Sequence, residues 1–346
     1  MARAGEFSLI DSLFRPLAAS ASGALDLRDD AALVRVPEGQ ELTVSCDTLV
    51  SGVHFLPKDP PDLVARKCLR VNLSDMAAMG AEPKGVLLSA QLAPDVTTDW
   101  LERFADGLGQ DLKTFGIGLY GGDTVATPGP TAFSVTIFGH VTQGTALRRS
   151  GAKVGQGIWV SGSLGDAAFG LIVLRDGLLG LEHEHQNFLA DRYRLPRPRV
   201  DLGLGLRGIA SACMDVSDGL VADLTHLAKA SGVQAVISAP SLPMSDAVAA
   251  LVADDLDRLE SVFAGGDDYE LLFCADDAPK IQDMLKALAQ ETQTPLCRIG
   301  QMRPLPAMAK QGDGVLGTAA SSEPTYVLVQ DGSGEPLTLS QTGYSH

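Results

Sequence analysis

Two kinds of apolar spacing alternate along the first half of the chain and constrain its fold class. Between residues 85 and 93 every second residue is apolar, which predicts a half-buried strand. The next apolar residues recur every three or four positions and predict one face of a helix that ends at Gly116: Leu101, Phe104, Leu108, Leu112 and Phe115. We also predict a helix at 8–19 and strands at 41–45, 117–120 and 131–141. Alternating strands and helices indicate an α/β or α+β domain.

The second half shows the same alternation after a basic, glycine-rich segment at 144–157. A chain of 346 residues is near the upper limit for one hydrophobic core, so we predict two domains, over 1–143 and 150–346. Helices are predicted from Asp166, after Gly219 and at 279–290, and strands at 158–160, 262–264 and 269–274, with two more toward the end. The second domain is therefore also expected to mix helices and strands.

Charge and cysteine content exclude several classes of protein. Lysine and arginine number 27 against 43 aspartates and glutamates, a net charge of −16, which argues against nucleic acids and anionic membranes as partners because both need a basic surface. A ligand that carries phosphate would then need cations to mediate its binding. The five cysteines form no C-x-x-C pair, so neither a disulfide framework nor a thiolate zinc site is indicated. No secretory segment or membrane-spanning run is visible, and we expect a cytoplasmic protein.

The segment V-N-L-S-D-M-A-A-M-G-A-E-P at 71–83 holds the first candidate functional residue, Asp75. Apolar residues at helical spacing precede it, at Val64, Cys68 and Val71, so Asp75 is expected near the end of a rigid helix. The alternative is that Ser74 and Asp75 only cap the following turn, since both residue types are favoured at helix starts.

Acidic side chains recur at six places, most of them after a strand-like run or a glycine turn: Asp29–Asp30, Asp47, Asp75, Asp123, Asp215 with Asp218, and Asp267–Asp268. Each alone is explained as a turn carboxylate. Six on apolar-flanked segments are harder to explain in this way, because two unit charges about 4 Å apart repel by roughly 4 kcal/mol at an effective dielectric constant near 20. A converging set needs cations, and carboxylates without clustered His or Cys favour Mg²⁺.

Other residues suggest contacts with phosphate. The glycine pairs at 121–122 and 265–266 would let backbone amides approach phosphate oxygens. Arg149 is either a phosphate clamp or a solvated linker charge. His54 follows the Asp47 strand and is either a site residue or a packed loop histidine. The chain has no P-loop, protein-kinase or dinucleotide-binding motif.

Taken together, several segments resemble the signature blocks of the thiamine-monophosphate kinase family, within the aminoimidazole ribonucleotide synthetase superfamily. They are S-C-D-T-L-V-S-G-V-H-F, V-N-L-S-D-M-A-A-M-G-A-E-P, Y-G-G-D-T, R-S-G-A-K-V-G, M-D-V-S-D-G-L and G-G-D-D-Y-E-L. The resemblance covers nearly the whole chain. N-L-S-D or G-G-D alone would indicate only the superfamily.

The resemblance implies a two-domain α/β (α+β) fold whose N-terminal domain forms a shared barrel in a homodimer. It implies a phosphotransferase that moves the ATP γ-phosphoryl group directly, in line, to thiamine monophosphate, giving thiamine diphosphate and ADP with Mg²⁺ as cofactor. The implied magnesium shell is Asp30, Ser45, Cys46, Asp47, Asp75, Asp123, Asp215 and Asp218, of which Asp47, Asp75 and Asp123 are the catalytic set. The implied nucleotide contacts are Gly122, Asp123, Arg149 and Ser217, and the implied acceptor contacts are His54, Asp267 and Tyr344.

The chain departs from the family pattern at three places. Leu27–Arg28 replaces the glycine-rich lead before the first acidic pair, Asp267 replaces a glutamate, and Gln341 stands where the family has an aromatic residue, for which Tyr344 is the substitute. Two alternatives stay open. One is another superfamily enzyme, of the aminoimidazole ribonucleotide synthetase or selenophosphate synthetase type, the latter disfavoured by the lack of a reactive Cys or Gly-rich loop at the N-terminus. The other is a non-catalytic regulator that binds metal or nucleotide.

Overall fold

Two β-sheets, each covered by helices, organise the chain. The structure is a computed structural model and describes residues 6–177, 180–306 and 324–343. The helices are α1 Glu6–Leu9, α2 Arg15–Ala18, α3 Pro61–Ala78, α4 Thr98–Thr114, α5 Asp166–Asp176, α6 His183–Arg194, α7 Val200–Gly205, α8 Leu220–Ser231, α9 Asp246–Asp254, α10 Leu259–Ala264 and α11 Pro279–Glu291. The strands are β1 Gln40–Val50, β2 Glu82–Leu92, β3 Gly118–Ala126, β4 Ala132–Thr142, β5 Gly157–Ser161, β6 Ala210–Asp215, β7 Val233–Ser238, β8 Leu271–Ala275, β9 Leu296–Pro304 and β10 Val327–Gln330. A π-helical turn (Ile10–Phe14) and 3₁₀ turns (Ser22–Leu27, Ala239–Ser241, Leu256–Arg258) complete the elements.

The N-terminal sheet has four strands in the order β1-β4-β2-β3, of which only β2 and β3 run parallel. Its inner face packs on α3 and α4, where the Phe104 and Phe133 rings stack with centroids 4.3 Å apart. The N-terminal segment covers part of its outer face, where Ala18, Ala21 and Ala24 pack near Tyr120. The rest of that face is open within the described chain, and Leu42, Val44 and Leu87 are 44%, 56% and 39% exposed. Residues alternate between the two faces along each strand, so side-chain direction follows directly from the register.

The C-terminal sheet has six strands in the order β10-β7-β9-β5-β8-β6, antiparallel except for the β10–β7 pair. Strand β8 is buried along its whole length, and α8 packs against the sheet through Leu220, Leu224 and Leu227. Gly232 ends α8 in the left-handed conformation, which glycine adopts without a steric penalty. The mixed content of both sheets agrees with the predicted α+β class.

Helix α3 lies between the two sheets and is buried on nearly every side. The Arg70 guanidinium donates from Nη1 to the Pro196 carbonyl at 3.0 Å, and a Cβ on Gly203 would lie 2.0 Å from the Ala77 carbonyl oxygen. Three polar residues of this helix, Lys67, Asn72 and Ser74, are buried together with its apolar ones. A helix packed on both faces therefore holds the two halves of the molecule together.

The structure differs from the sequence predictions at four places. Residues 262–264 belong to α10 instead of a strand, because a short apolar run fits a buried helix equally well. Gly121–Gly122–Asp123 lies inside β3 instead of a turn, and Asp47 lies inside β1 instead of at its end. Helix α3 continues through Ala78, so Ser74 and Asp75 do not cap a separate turn. Among the described residues, no helix has both the length and the apolar run needed to cross a bilayer.

Candidate active site

A cleft of about 1130 Å³ opens between the two halves of the molecule. The predicted site residues that line it are Asp47, His54, Asp75, Arg149, Asp215, Ser217, Asp218 and Asp267. Residues 340–343, near the C-terminus, close one wall, and the backbone N–H of Gln341 donates to Glu260 Oε1 at 2.7 Å. Both halves of the chain therefore contribute carboxylates to one cavity.

The N-terminal wall is set by β1 and α3. Asp47 faces α3 because it pairs with Val135 on the inner face of the sheet, and its backbone N–H donates to Asn72 Oδ1 at 3.2 Å. The Asn72 amide in turn donates to the Cys68 carbonyl at 2.9 Å. Two residues before Asp47, on the same face of β1, the Ser45 hydroxyl donates to Asp75 Oδ2 at 2.6 Å. Strand and helix thus fix Asp47 and Asp75 relative to each other.

The C-terminal wall is set by the end of β6 and the turn before α8. The Ser74 hydroxyl donates to Asp215 Oδ2 at 2.6 Å, which ties this wall to α3. The Asp223 carboxylate accepts backbone N–H bonds from Ser217, Asp218 and Gly219 at 3.0, 3.0 and 3.2 Å. Because one carboxylate holds three successive amides, the Ser217–Asp218 turn keeps a defined shape at the cleft.

The cleft carboxylates are poorly neutralised by the protein itself. Burial, then the negative charge of Asp47, raises the pKa of Asp75 to about 6. Burial, then the charge of Asp75, raises the pKa of Asp215 to about 6, and burial and Asp215 raise that of Asp47. Arg149 lowers the pKa of Asp75 and Asp215, and it is the one Lys or Arg among the described residues that line the cleft. The arrangement holds excess negative charge next to solvent.

These residues fit a hard divalent cation. Within the described ranges, no group of three or more His, Cys, Asp or Glu side chains is arranged so that these side chains alone could hold a metal ion. A few carboxylates are nevertheless what Mg²⁺ takes from a protein, since it draws its other ligands from water and substrate phosphate. Burial and, after it, mutual repulsion raise the pKa values of Asp47, Asp75 and Asp215, and a bound cation would offset both effects.

At the other end of the cleft, a buried lysine that the sequence reasoning missed organises the wall. Lys67 on α3 is 2% exposed and donates from Nζ to Asp267 Oδ2 and to the His54 carbonyl, both at 2.9 Å. Its ammonium also lies 3.7 Å from the centre of the Tyr193 ring. The available signal was a lysine on the same helical face as Val64 and Val71, where an apolar residue is expected.

Several predicted residues lie elsewhere. Asp30, Gly122 and Asp123 line a second pocket, of about 560 Å³, on the outer face of the N-terminal sheet. Asp123 points there because it pairs with Ser89, which lies on that face. The Cys46 side chain also faces outward, where its sulfur accepts a hydrogen bond from Thr136 Oγ1 at 3.4 Å. The expectation that all the acidic residues meet in one cleft is therefore not met within a single chain. Tyr344 lies outside the described residues.

Comparison with known proteins identifies the family. The models for AIR synthase related protein match at residues 28–141 (N-terminal domain) and 153–308 (C-terminal domain). The thiamine-monophosphate kinase of Salmonella typhimurium is 45% identical over 303 residues, 86% of this chain and 90% of that protein. This chain belongs to the thiamine-monophosphate kinase family.

Solved structures of thiamine-monophosphate kinases have the same fold. The crystal structure of the enzyme from Stenotrophomonas maltophilia matches with a TM-score of 0.78 at 42% identity, covering 88% of this chain and 95% of that one. A structure of AaThiL complexed with AMPPCP and TMP matches with a TM-score of 0.72 at 29% identity, covering 99% and 97%. The two-domain architecture described above is therefore that of the family.

Proposed function

We propose that this protein transfers the γ-phosphoryl group of ATP to the phosphate of thiamine monophosphate and releases thiamine diphosphate and ADP. The observation that carries the proposal is the convergence of Asp47, Asp75 and Asp215 in one cleft of a chain that belongs to this family. Two polyanions must meet there, so the protein must offer a place for cations and not only for phosphate. An interdomain cleft with excess carboxylate provides that place.

Mg²⁺ would be held by Asp47, Asp75, Asp215 and Asp218, with backbone oxygens of Ser45 and Cys46 nearby in β1. Bound magnesium supplies charge neutralisation for the phosphates of ATP and of the acceptor. Side chains and backbone groups of the protein bind and orient the nucleotide. The Arg149 guanidinium at the mouth of the cleft binds nucleotide phosphate, and the Ser217–Asp218 turn, held by Asp223, orients it.

The transfer is direct and in line. One oxygen of the acceptor phosphate attacks the γ-phosphorus, and the bond from that phosphorus to the bridging oxygen of ADP breaks. A phosphate monoester is largely ionised at pH 7, since its second pKa is about 6, so the step needs no strong general base. Catalysis comes from positioning and from neutralised charge. His54 and Asp267 hold the acceptor at the other end of the cleft, where the Asp267 carboxylate suits the cationic thiazolium ring.

We also propose a homodimer that covers the outer face of the N-terminal sheet, with domains over 1–143 and 150–346. Leu42, Val44 and Leu87 form an apolar surface there, and a second copy is the partner that the family resemblance implies. Asp30, Gly122 and Asp123 line the pocket on this face and act on nucleotide and metal in the assembled dimer. Val44→Glu should give monomers in light scattering, whereas Leu256→Glu, at a residue 74% exposed elsewhere, should not.

Subunit mixing tests the shared site. If Asp123 serves the cleft of the partner copy, Asp75→Asn and Asp123→Asn dimers are both inactive, but mixed dimers regain part of the activity in one of their two clefts. No recovery after verified subunit exchange would contradict the shared site.

The activity itself is tested by incubating the purified protein with ATP, Mg²⁺ and a panel of acceptors. ADP release that depends on thiamine monophosphate is the expected result. Release with another acceptor would favour a different superfamily enzyme, and nucleotide binding without release would favour a regulator. Asp75→Asn serves as the control for contaminating kinases.

A further inference from the structure

Lys67 is the one lysine or arginine of α3 whose charge is turned toward the cleft wall. Three groups surround its ammonium: the Asp267 carboxylate, the His54 carbonyl and the face of the Tyr193 ring. The other cations of α3, Arg66 and Arg70, turn to Asp111 instead. Burying an ammonium is unfavourable unless its surroundings compensate the charge, so this arrangement is a specific one.

All three partners of Lys67 belong to residues that line the cleft: His54 comes from the loop after β1, Tyr193 from α6 and Asp267 from the loop before β8. Lys67 itself lies behind the wall and outside the lining. One buried side chain therefore joins three separate segments of the cleft wall, from both halves of the molecule.

Helix α3 also fixes the distance between the two ends of the cleft. Lys67, Val71 and Asp75 follow one another at four-residue spacing along the face that borders the cavity. Eight residues of α-helix span about 12 Å. Lys67 bonds to Asp267 at one end of this span, and Ser74 bonds to Asp215 at the other. A rigid helix thus sets how far Asp267 lies from the carboxylates.

The loop that carries Asp267 needs such a restraint. Asp267 and Tyr269 both have left-handed backbone conformations, with φ of 70° and 51°, which are unfavourable for residues with a side chain. The Tyr269 hydroxyl donates to Asp267 Oδ1 at 3.2 Å while Lys67 donates to Oδ2. Both carboxylate oxygens are held, and so is the plane of the group.

We propose that Lys67 is a positioning residue for the acceptor: it holds Asp267 at a fixed distance from the Asp75–Asp215 end of the cleft. The inference rests on the proposed function for the identity of the acceptor. Lys67 touches no reacting atom, and its effect passes through Asp267 and the strained loop. Loss of the ammonium should therefore weaken acceptor binding and leave nucleotide binding largely intact.

Steady-state kinetics test this inference. Lys67→Met is expected to raise the KM for thiamine monophosphate at least tenfold and to change the KM for ATP by less than twofold. Lys67→Arg keeps the charge and should fall between wild type and Lys67→Met. Asp267→Asn should show the same pattern. The double variant should bind the acceptor no more weakly than Asp267→Asn alone, because Lys67 acts only through Asp267. Arg66→Met, at the neighbouring position on α3, is the matched control and should leave both KM values unchanged.

Hydrogen exchange gives a second readout that does not depend on turnover. The amides of Asp267 and Tyr269 donate to the Ser217 and Val216 carbonyls, both at 2.8 Å, so we expect them to be protected from exchange in the wild type. Lys67→Met should speed their exchange at least tenfold, and Arg66→Met should not. Unchanged exchange, or equal rises in both KM values, would overturn the positioning role. A wild type without acceptor-dependent ADP release would refute the proposed function, while the exchange result would still decide whether Lys67 holds the loop.

Discussion

Two groups of buried carboxylates in this molecule differ in their partners. One group pairs with arginines, and the other has serine hydroxyls and further carboxylates beside it. In the C-terminal half, Glu270 accepts from Arg192 at 2.9 Å and from Arg199 at 2.6 Å, and Asp166 lies 3.3 Å from Arg192. In the cleft, the side-chain donors to Asp75 and Asp215 are the hydroxyls of Ser45 and Ser74, and the charges of other carboxylates affect their pKa values more than the charge of Arg149 does. The first group is neutralised by its own arginines, and the second is not.

The pKa shifts express the same contrast. Burial lowers the pKa of Arg192, but the charges of Glu270 and Asp166 outweigh it and leave the pKa raised. Burial raises the pKa of Asp75 and Asp215, and their acidic neighbours raise it further. A neutralised cluster stabilises the fold, whereas one left negative stabilises the fold only when cations arrive. The difference separates structural carboxylates from functional ones in a single chain.

The largest effect is expected from removing a cleft carboxylate. Asp47→Ala and Asp75→Ala should each lower kcat about 10³-fold or more, because the cations that neutralise the phosphates lose a ligand. Circular dichroism should show an intact fold, and the metal-free variants should be no less stable than wild type, since each loses a repulsive charge. Near-normal activity of either variant at saturating Mg²⁺ would show that its carboxylate is not needed for cation binding during turnover.

The opposite pattern is expected for the neutralised cluster. Glu270→Gln leaves the Arg192 and Arg199 guanidiniums without their shared carboxylate and should lower the free energy of unfolding by about 3–5 kcal/mol in urea titrations. Arg103→Met removes an exposed ion pair with Asp62 and is the control, with an expected change within about 0.5 kcal/mol. Equal unfolding free energies for the two variants would show that the Glu270 cluster does not stabilise the fold more than an exposed ion pair does.

A smaller effect, on the pH dependence of the unfolding free energy, tests the same comparison. Folding raises the pKa of Asp75 from its ordinary 3.8 to about 6, so the folded state binds more protons and becomes less stable as pH rises through that interval. Relative to Asp75→Asn, the metal-free wild type should lose about 2 kcal/mol of unfolding free energy between pH 4 and pH 7. Saturating Mg²⁺ should remove most of this loss. A difference that stays constant with pH would show that burial and the neighbouring carboxylate do not raise the pKa of Asp75.

The sequence predicted the parts of the site that depend on local pattern. Helical spacing through Val64, Cys68 and Val71 placed Asp75 on α3, as observed, whereas strand β6, which ends at Asp215, was not predicted. The carboxylate set itself was recognised by its repetition in both halves of the chain.

The remaining features depend on contacts between distant residues. Lys67 meets Asp267 two hundred positions away, and no spacing rule links them. Asp123 faces the outer side of the sheet because of its register with Ser89, which strand prediction alone does not give. The apolar residues 262–264 became helical because α10 packs against α8, a tertiary contact that a three-residue pattern does not contain.

Calorimetric titration of Mg²⁺ into the wild type, Asp75→Asn and Arg66→Met in the presence of AMPPCP tests the central claim most directly. We expect saturable binding to the wild type and to Arg66→Met, and at least tenfold weaker binding to Asp75→Asn. Equal Mg²⁺ affinity in all three proteins would contradict the assignment of the cleft carboxylates as the place where cations bind.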